Sequence, residues 1–207
     1  MVELRNRKGR QEKPLALMAP DSETVGRYCR MSSEERALLE HHSRPIVLLE
    51  ARAGHGLAES IAPGNRYLGF MLPYTPLHHL IMRGNFDALV MTSGNVSEEP
   101  IATGNEEALS RLKSLADFFV LHDRDILQRC DDSIVRWSAG QSRMIRRARG
   151  FVPQAIAVEA KTDEPILACG GELKNTIAIA RNNRLFLSQH IGDLDNPAAY
   201  QSFEQCI

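Results

Sequence analysis

The chain has 207 residues, enough for one sizeable domain, or for one domain and part of a second, with a buried core. With 43% hydrophobic and 25% charged residues it sits among soluble globular chains and outside disordered or collagen-like compositions. A formal net charge of -1 excludes a protein that coats nucleic acid with its whole surface, because counterion release needs many uncompensated Lys and Arg; any polyanion site must be local.

Arg5, Arg7, Lys8, Arg10 and Lys13 come first, ending at Lys13-Pro14. Such a run reads either as a solvated helix face or as a clamp for a triphosphate, with Arg supplying forked donors and Lys a point charge. It follows Met1 where an apolar stretch would mark a secretory leader, so none is expected. Ser32-Ser33-Glu34-Glu35 is a capping-box start that predicts a helix over 36–42, closing on His41-His42, where imidazolium would suit the dipole. Pro45-Ile46-Val47-Leu48-Leu49 follows as a buried strand, then a loop through Gly54, Gly56 and Gly64, a strand over 67–71, a short helix over 77–82 and a strand over 86–92. His78 and His79 are adjacent on that helix and point about 100° apart, which suits packing or capping rather than a shared metal.

Thr92-Ser93-Gly94-Asn95 ends the strand abruptly. The tetrapeptide is ordinary turn chemistry, but after a buried strand it also offers close backbone approach and directional hydrogen bonds where ligands of open sheets gather. Residues 106–115 have helical spacing, 118–121 read as a strand and 133–137 alternate as a half-buried strand. A second basic cluster, Arg143, Arg146, Arg147 and Arg149, precedes Gly150 and follows Asp131-Asp132-Ser133. The two basic clusters suggest convergence on one anion, and the paired carboxylates Asp131 and Asp132 suit magnesium held through water, or the ordering of nearby arginines.

Residues 159–164 turn polar and read as a linker, with preferred cleavage near Lys161 or after Arg181. A new unit then opens with a strand over 165–169, a turn at Gly170-Gly171, and a hairpin of 176–181 with 184–188 around Asn182-Asn183. The alternation of signals gives an α/β (α+β) layered fold. Cys29, Cys130, Cys169 and Cys206 are scattered without metal-ligand spacing, and the apolar runs are too short to span a bilayer, so a soluble, cytoplasmic protein is expected.

Several stretches resemble the HypF family of hydrogenase maturation proteins and, through it, the wider YrdC-like family. Lys8-Gly9-Arg10 with Lys13-Pro14 is similar to a phosphate-contacting KGRxxKP element. Leu72-Pro73-Tyr74-Thr75-Pro76-Leu77-His78, Thr92-Ser93-Gly94-Asn95, Asp131-Asp132-Ser133 and residues 145–153 resemble its LPYTPLH, TSGN, DDS and IRRARGxxP segments, in the family's order. Residues 170–176 and 188–194 resemble the opening of the HypF carbamoyl-transfer domain.

The resemblance implies a YrdC-like twisted mixed sheet with flanking helices over 1–159, a linker at 160–164, and an incomplete actin-like ATPase-type β unit over 165–207. It implies a carbamoyltransferase that activates carbamate, derived from carbamoyl phosphate, with ATP and Mg2+ as carbamoyl adenylate, and passes the group to the C-terminal cysteine of a HypE partner for the cyanide ligand of a nickel-iron hydrogenase. ATP or the adenylate would be held by Lys8, Arg10, Lys13, Ser93, Asn95, Ser133, Arg146 and Arg149, with Asp131 and Asp132 as magnesium contacts. Zinc or another metal would belong to parts of the family architecture outside this sequence, which is expected to be a piece of that architecture and inactive in carbamoyl transfer by itself. Two other readings stand beside this one: a YrdC-like double-stranded RNA-binding module, set against by the near-neutral charge and 6% aromatic content, and a threonylcarbamoyl-adenylate synthase, set against by the match over 170–194.

Overall fold

The structure is a computed structural model and describes every residue except Gln11 and Glu98. The chain divides into two compact units, Met1–Thr92 with Asp132–Arg146, and Ser93–Asp131 with Arg147–Ile207.

The first unit is built on one mixed sheet. Its strands are β1 (Ala16–Met18), β2 (Cys29–Arg30), β3 (Ile46–Ala51), β4 (Tyr67–Met71), β5 (Leu89–Met91), β6 (Ile134–Ser138) and β7 (Gln141–Arg146). They lie in the order β5-β1-β4-β3-β6-β7, with β2 pairing β3. β1 runs parallel to β4 and β3 parallel to β6, while β1 with β5, β3 with β4 and β6 with β7 are antiparallel.

Register explains why both faces are buried. Leu17 pairs Phe70, Phe70 pairs Val47 and Val47 pairs Val135, so one row of side chains crosses four strands on a single face. All four are at most 1% exposed, and each such burial contributes roughly 1.5–3 kcal/mol. Tyr28 stacks on Phe70 at 5.8 Å between centroids, at the end of α2 (Ser22–Tyr28), and Val25 and Leu39 are fully buried. On the other face Met18, Ile46 and Met71 pack with Met82 of α4 (Pro76–Met82). Gly69 lets that face close: a Cβ there would stand 2.9 Å from Ile46 Cγ2.

Local chemistry sets the helix ends. α3 (Ser33–Glu40) starts with the expected capping box, Ser32 accepting from the Glu35 amide and Glu35 from the Ser32 amide. α4 starts at Pro76, where Thr75 Oγ1 accepts from the His78 amide, and the His78 ring meets Tyr74 edge-on at 4.4 Å. At the end of α3 the Ser43 amide donates to His41 Nδ1, and burial together with His42 lowers the His41 pKa.

α1 (Val2–Lys8) is held by Arg5, which is 8% exposed. Its guanidinium donates to the carbonyls of Ser60, Ile61, Arg10 and Lys13, tying the helix and the segment after it to the 3-10 turn Glu59–Ile61. Arg5 therefore leaves the expected anion clamp and becomes a structural bolt. Arg7 pairs with Glu3 on the exposed side of the helix.

The second unit contains α5 (Asn105–Arg111), the ladder of β8 (Ile156–Cys169) with β9 (Ile177–Leu187), and α6 (Pro197–Glu204). Two sequence expectations fail here. The hairpin around Asn182-Asn183 is instead a single strand β9 lying antiparallel to β8; Asn182 takes its positive φ of 54° inside the strand, at an irregular point of the ladder where it pairs Thr162. The strand expected over 118–121 has no partner, and Phe118 and Val120 are 91% and 85% exposed. The polar stretch 160–164 lies within β8, again where the register shifts. At the β8–β9 turn Asn175, 1% exposed, donates to the carbonyls of Gly170 and Gly171. Gly170 approaches Thr176 so closely that a Cβ would stand 2.7 Å from its carbonyl oxygen. No helix among the described residues is long and apolar enough to cross a membrane.

Candidate nucleotide site

The Lys8-Gly9-Arg10 element folds as a helix end followed by a reversal. Gly9 caps α1 in the left-handed region at φ 62°, and its amide and that of Arg10 return to the carbonyls of Asn6 and Arg5. The reversal turns Lys8 and Arg10 toward the same acceptor. Lys8 Nζ donates to Thr92 Oγ1 at 3.1 Å and Arg10 Nη1 approaches the same oxygen at 3.4 Å, while Arg10 Nη2 donates to the Pro14 carbonyl at 2.8 Å. Lys8 is 4% exposed. Burial, with Arg10 and then Lys13 beside it, brings its ammonium down from 10.5 to about 8. Three cations thus crowd together beside Thr92, chemistry that suits an anionic ligand.

Ser133 and Arg146 belong to the same unit, just before β6 and at the end of β7. Ser133 is fully buried just before β6, its carbonyl accepting from the Ile46 amide at 2.8 Å. Arg146 pairs Ile134 across β6–β7 and donates from Nε to the Asp132 carbonyl at 2.7 Å. In this unit the Asp132 main chain thus fixes an arginine.

Ser93, Asn95 and Arg149 belong to the second unit. Ser93 Oγ donates to Asn95 Oδ1 at 2.7 Å, Asn95 Nδ2 donates to the Glu99 carbonyl at 2.7 Å, and the Ala102 amide returns to the Gly94 carbonyl. The loop is closed on itself around the serine and asparagine. Arg111 of α5 holds Glu99 at 2.6 Å and the Pro100 carbonyl at 3.1 Å behind it. The Arg149 amide donates to the Asp131 carbonyl at 3.0 Å. Arg147, part of the same basic run, donates to the Gln154 carbonyl at 2.7 Å. Among the described residues no group of three or more His, Cys, Asp or Glu is arranged to hold a metal.

The sequence marks the TSGN segment that Thr92 begins as a candidate site, but the binding set drawn from it takes Ser93 and Asn95 and leaves Thr92 out. Its signal was position: the first residue beyond a buried strand.

An open mixed sheet with flanking helices, holding a buried lysine and an arginine against the end of an edge strand, defines an α/β domain. The family model for Sua5, YciO and YrdC, described as "Telomere recombination", matches residues 1–148, and the chain belongs to that family. A second model, the HypF Kae1-like domain, matches residues 161–207. The chain is 45% identical over 204 residues to carbamoyltransferase HypF of Synechocystis sp., covering 99% of this chain and 27% of that protein. A solved structure of full-length HypF in a phosphate- and nucleotide-bound form superposes with a TM-score of 0.95 at 49% identity, over 99% of this chain and 32% of that one. The T. kodakarensis HypF structure superposes at 0.93 with 39% identity, over 98% and 27%. The chain thus spans about a quarter to a third of the length of these relatives.

Proposed function

We propose that this chain is the nucleotide-activating part of a HypF-type carbamoyltransferase, acting in hydrogenase maturation. The observation that carries the proposal is the convergence of Lys8 and Arg10 on Thr92, with a lysine whose pKa is lowered to about 8 by burial and by Arg10 and Lys13 beside it. A triphosphate suits three cations gathered in this way. Lys8, Arg10 and Lys13 would neutralise the phosphates, Ser93 and Asn95 would hydrogen-bond the nucleotide or carbamate, and Ser133, Arg146 and Arg149 would complete the binding set. The nucleotide-bound state of the HypF relative supports this assignment of ligand class.

In the reaction, a carbamate oxygen attacks the α-phosphorus of ATP, pyrophosphate leaves, and carbamoyl adenylate forms. Positioning and charge stabilisation are what side chains contribute to such an attack. Magnesium would come with the phosphates, for which Asp131 and Asp132 are the nearest carboxylates to the Ser133 motif in sequence. The carbamoyl group would then pass to the terminal cysteine of HypE within the longer protein. The HypF match over 161–207 favours carbamate over threonine with bicarbonate as the co-substrate.

The test is calorimetric titration of ATP into the chain and into Lys8→Gln, followed by pyrophosphate exchange with carbamate or with threonine plus bicarbonate. ATP binding lost in Lys8→Gln and exchange with carbamate are expected. Unchanged affinity in Lys8→Gln, or exchange with threonine, would overturn the assignment.

A further inference from the structure

A second cationic group in the first unit is used by none of the motifs. Tyr67, at the start of β4, receives two guanidinium donors on its phenol oxygen: Arg136 Nη2 at 2.7 Å and Arg66 Nη2 at 3.1 Å. Both guanidinium groups also sit over the ring, 4.2 and 5.1 Å from its centroid. Arg143 lies directly opposite Arg136 in the β6–β7 register and so shares its face of the sheet. Glu50 faces Tyr67 across β3–β4 and Arg30 across β2–β3, yet among the described residues no carboxylate comes within ion-pair distance of Arg66, Arg136 or Arg143.

This arrangement carries a cost that packing does not explain. Like charges placed directly opposite on a sheet are destabilising, and Arg136 and Arg143 are so placed. The two bonds from Arg66 and Arg136 occupy both lone pairs of the Tyr67 oxygen, so its own hydrogen is left to donate outward. Each guanidinium spends one N–H on the phenol and has others to offer. The cluster therefore presents donors: two guanidinium groups held on the phenol, with Arg143 beside Arg136 on the same face. Its complement is a group that only accepts, carries more than one negative charge and has several oxygens: a phosphoryl dianion fits, whereas a carboxylate brings one charge and two oxygens.

We propose that Arg66, Tyr67, Arg136 and Arg143 form a second oxyanion site that takes a phosphoryl group, separate from the Lys8–Arg10–Thr92 cluster. Binding polarises no bond and needs no co-reactant; it fixes the charged end of a phosphorylated small molecule on the sheet. Free phosphate and a nucleoside monophosphate share this chemistry.

The test titrates the full chain with inorganic phosphate alone and, separately, with AMP, following arginine Nε–H signals by NMR. Phosphate is expected to shift the signals of Arg66, Arg136 and Arg143. Arg136→Gln and Arg66→Gln should each weaken that binding about ten-fold or more, and Tyr67→Phe, which keeps the ring and the fold, by several-fold. Arg7→Ala, on the exposed side of α1, should leave it unchanged. Equal affinities for the two probes assign free phosphate, and tighter AMP binding at the same signals assigns a nucleotide. Unchanged phosphate affinity in Arg66→Gln and Arg136→Gln, or shifts confined to Arg10 and lost in Lys8→Gln, would overturn the site. So would a short RNA duplex that binds through Arg136 and is not displaced by phosphate, since that is an extended polyanion surface.

Discussion

Lys8 Nζ donates to Thr92 Oγ1 across 84 positions of sequence, and Arg10 reaches the same oxygen. One end of the contact depends on Gly9 reversing the chain at the close of α1, and the other on β5 ending at Met91. A hydroxyl accepts from both cations and carries no charge of its own.

The lowered Lys8 pKa should be visible as proton uptake on ATP binding. A lysine with a pKa of about 8 is half neutral at pH 8, and a bound triphosphate pushes its pKa back up. ATP binding at pH 8 is therefore expected to take up roughly half a proton. Calorimetry in two buffers of different ionisation enthalpy measures it, and identical enthalpies would remove Lys8 from the site.

The same shift makes a stability prediction. The Lys8 pKa in the folded chain lies below the ordinary lysine value of 10.5, so the folded state holds fewer protons between about 8 and 10.5. The burial penalty is fully present below pH 8 and fades as pH rises toward 10.5. Lys8→Met should stabilise the chain near pH 7 by about 1–2 kcal/mol, with the gain vanishing in alkali. Urea unfolding at pH 7 and at pH 10 gives the comparison.

Thr92→Val keeps the shape of the side chain and removes the shared acceptor. It is expected to weaken ATP binding by about 1–2 kcal/mol, while Thr92→Ser, which keeps the hydroxyl, should stay within a few tenths. A Val variant that binds ATP like the parent would show that the two cations are positioned by other contacts.

Arg5 is predicted to matter for stability rather than for ligand. Arg5→Met strands four carbonyls that now share one guanidinium and should cost about 2–4 kcal/mol in urea unfolding. Arg7→Ala breaks the exposed pair with Glu3 and should cost no more than about 0.5 kcal/mol. Equal losses for the two would mean that the bolt has been misread.

These two arginines mark the limit of what the sequence could tell. Arg5 and Arg7 are indistinguishable in a local pattern; only the arrival of Ser60 and Ile61, 55 and 56 residues away, makes Arg5 structural. Local signals did carry the capping box at Ser32 and the strand Tyr67–Met71, because both depend on neighbouring residues. The Lys8 and Arg10 motif was legible as a resemblance, whereas its acceptor Thr92 needed the sheet. Asn182-Asn183 was read as a turn because asparagine tolerates positive φ, but the ladder absorbs that conformation at an irregularity. The cluster at Tyr67 has no sequence signal at all, since Arg66, Arg136 and Arg143 meet only through strand register.

The last prediction concerns where the chain is cut. The sequence favoured Lys161 and Arg181, as a polar linker and a hairpin arm, but β8 and β9 carry both residues, with Thr162 paired to Asn182 between them. Main chain in a ladder must leave its partner before a protease can bind it in extended form, which costs local unfolding. The segment over 118–130 has no helix or ladder to break, and it exposes Phe118, Val120 and Leu127 at 91%, 85% and 97%. Chymotrypsin should therefore cut first after Phe118 or Leu127, and trypsin after Arg124, which is exposed in the same stretch. Mass spectrometry of the first fragments decides between the two readings. Early cleavage at Lys161 with 118–130 intact would mean that the irregular part of the β8–β9 ladder opens more readily than a stretch with no ladder, and that residues 160–164 act as the linker their composition suggests.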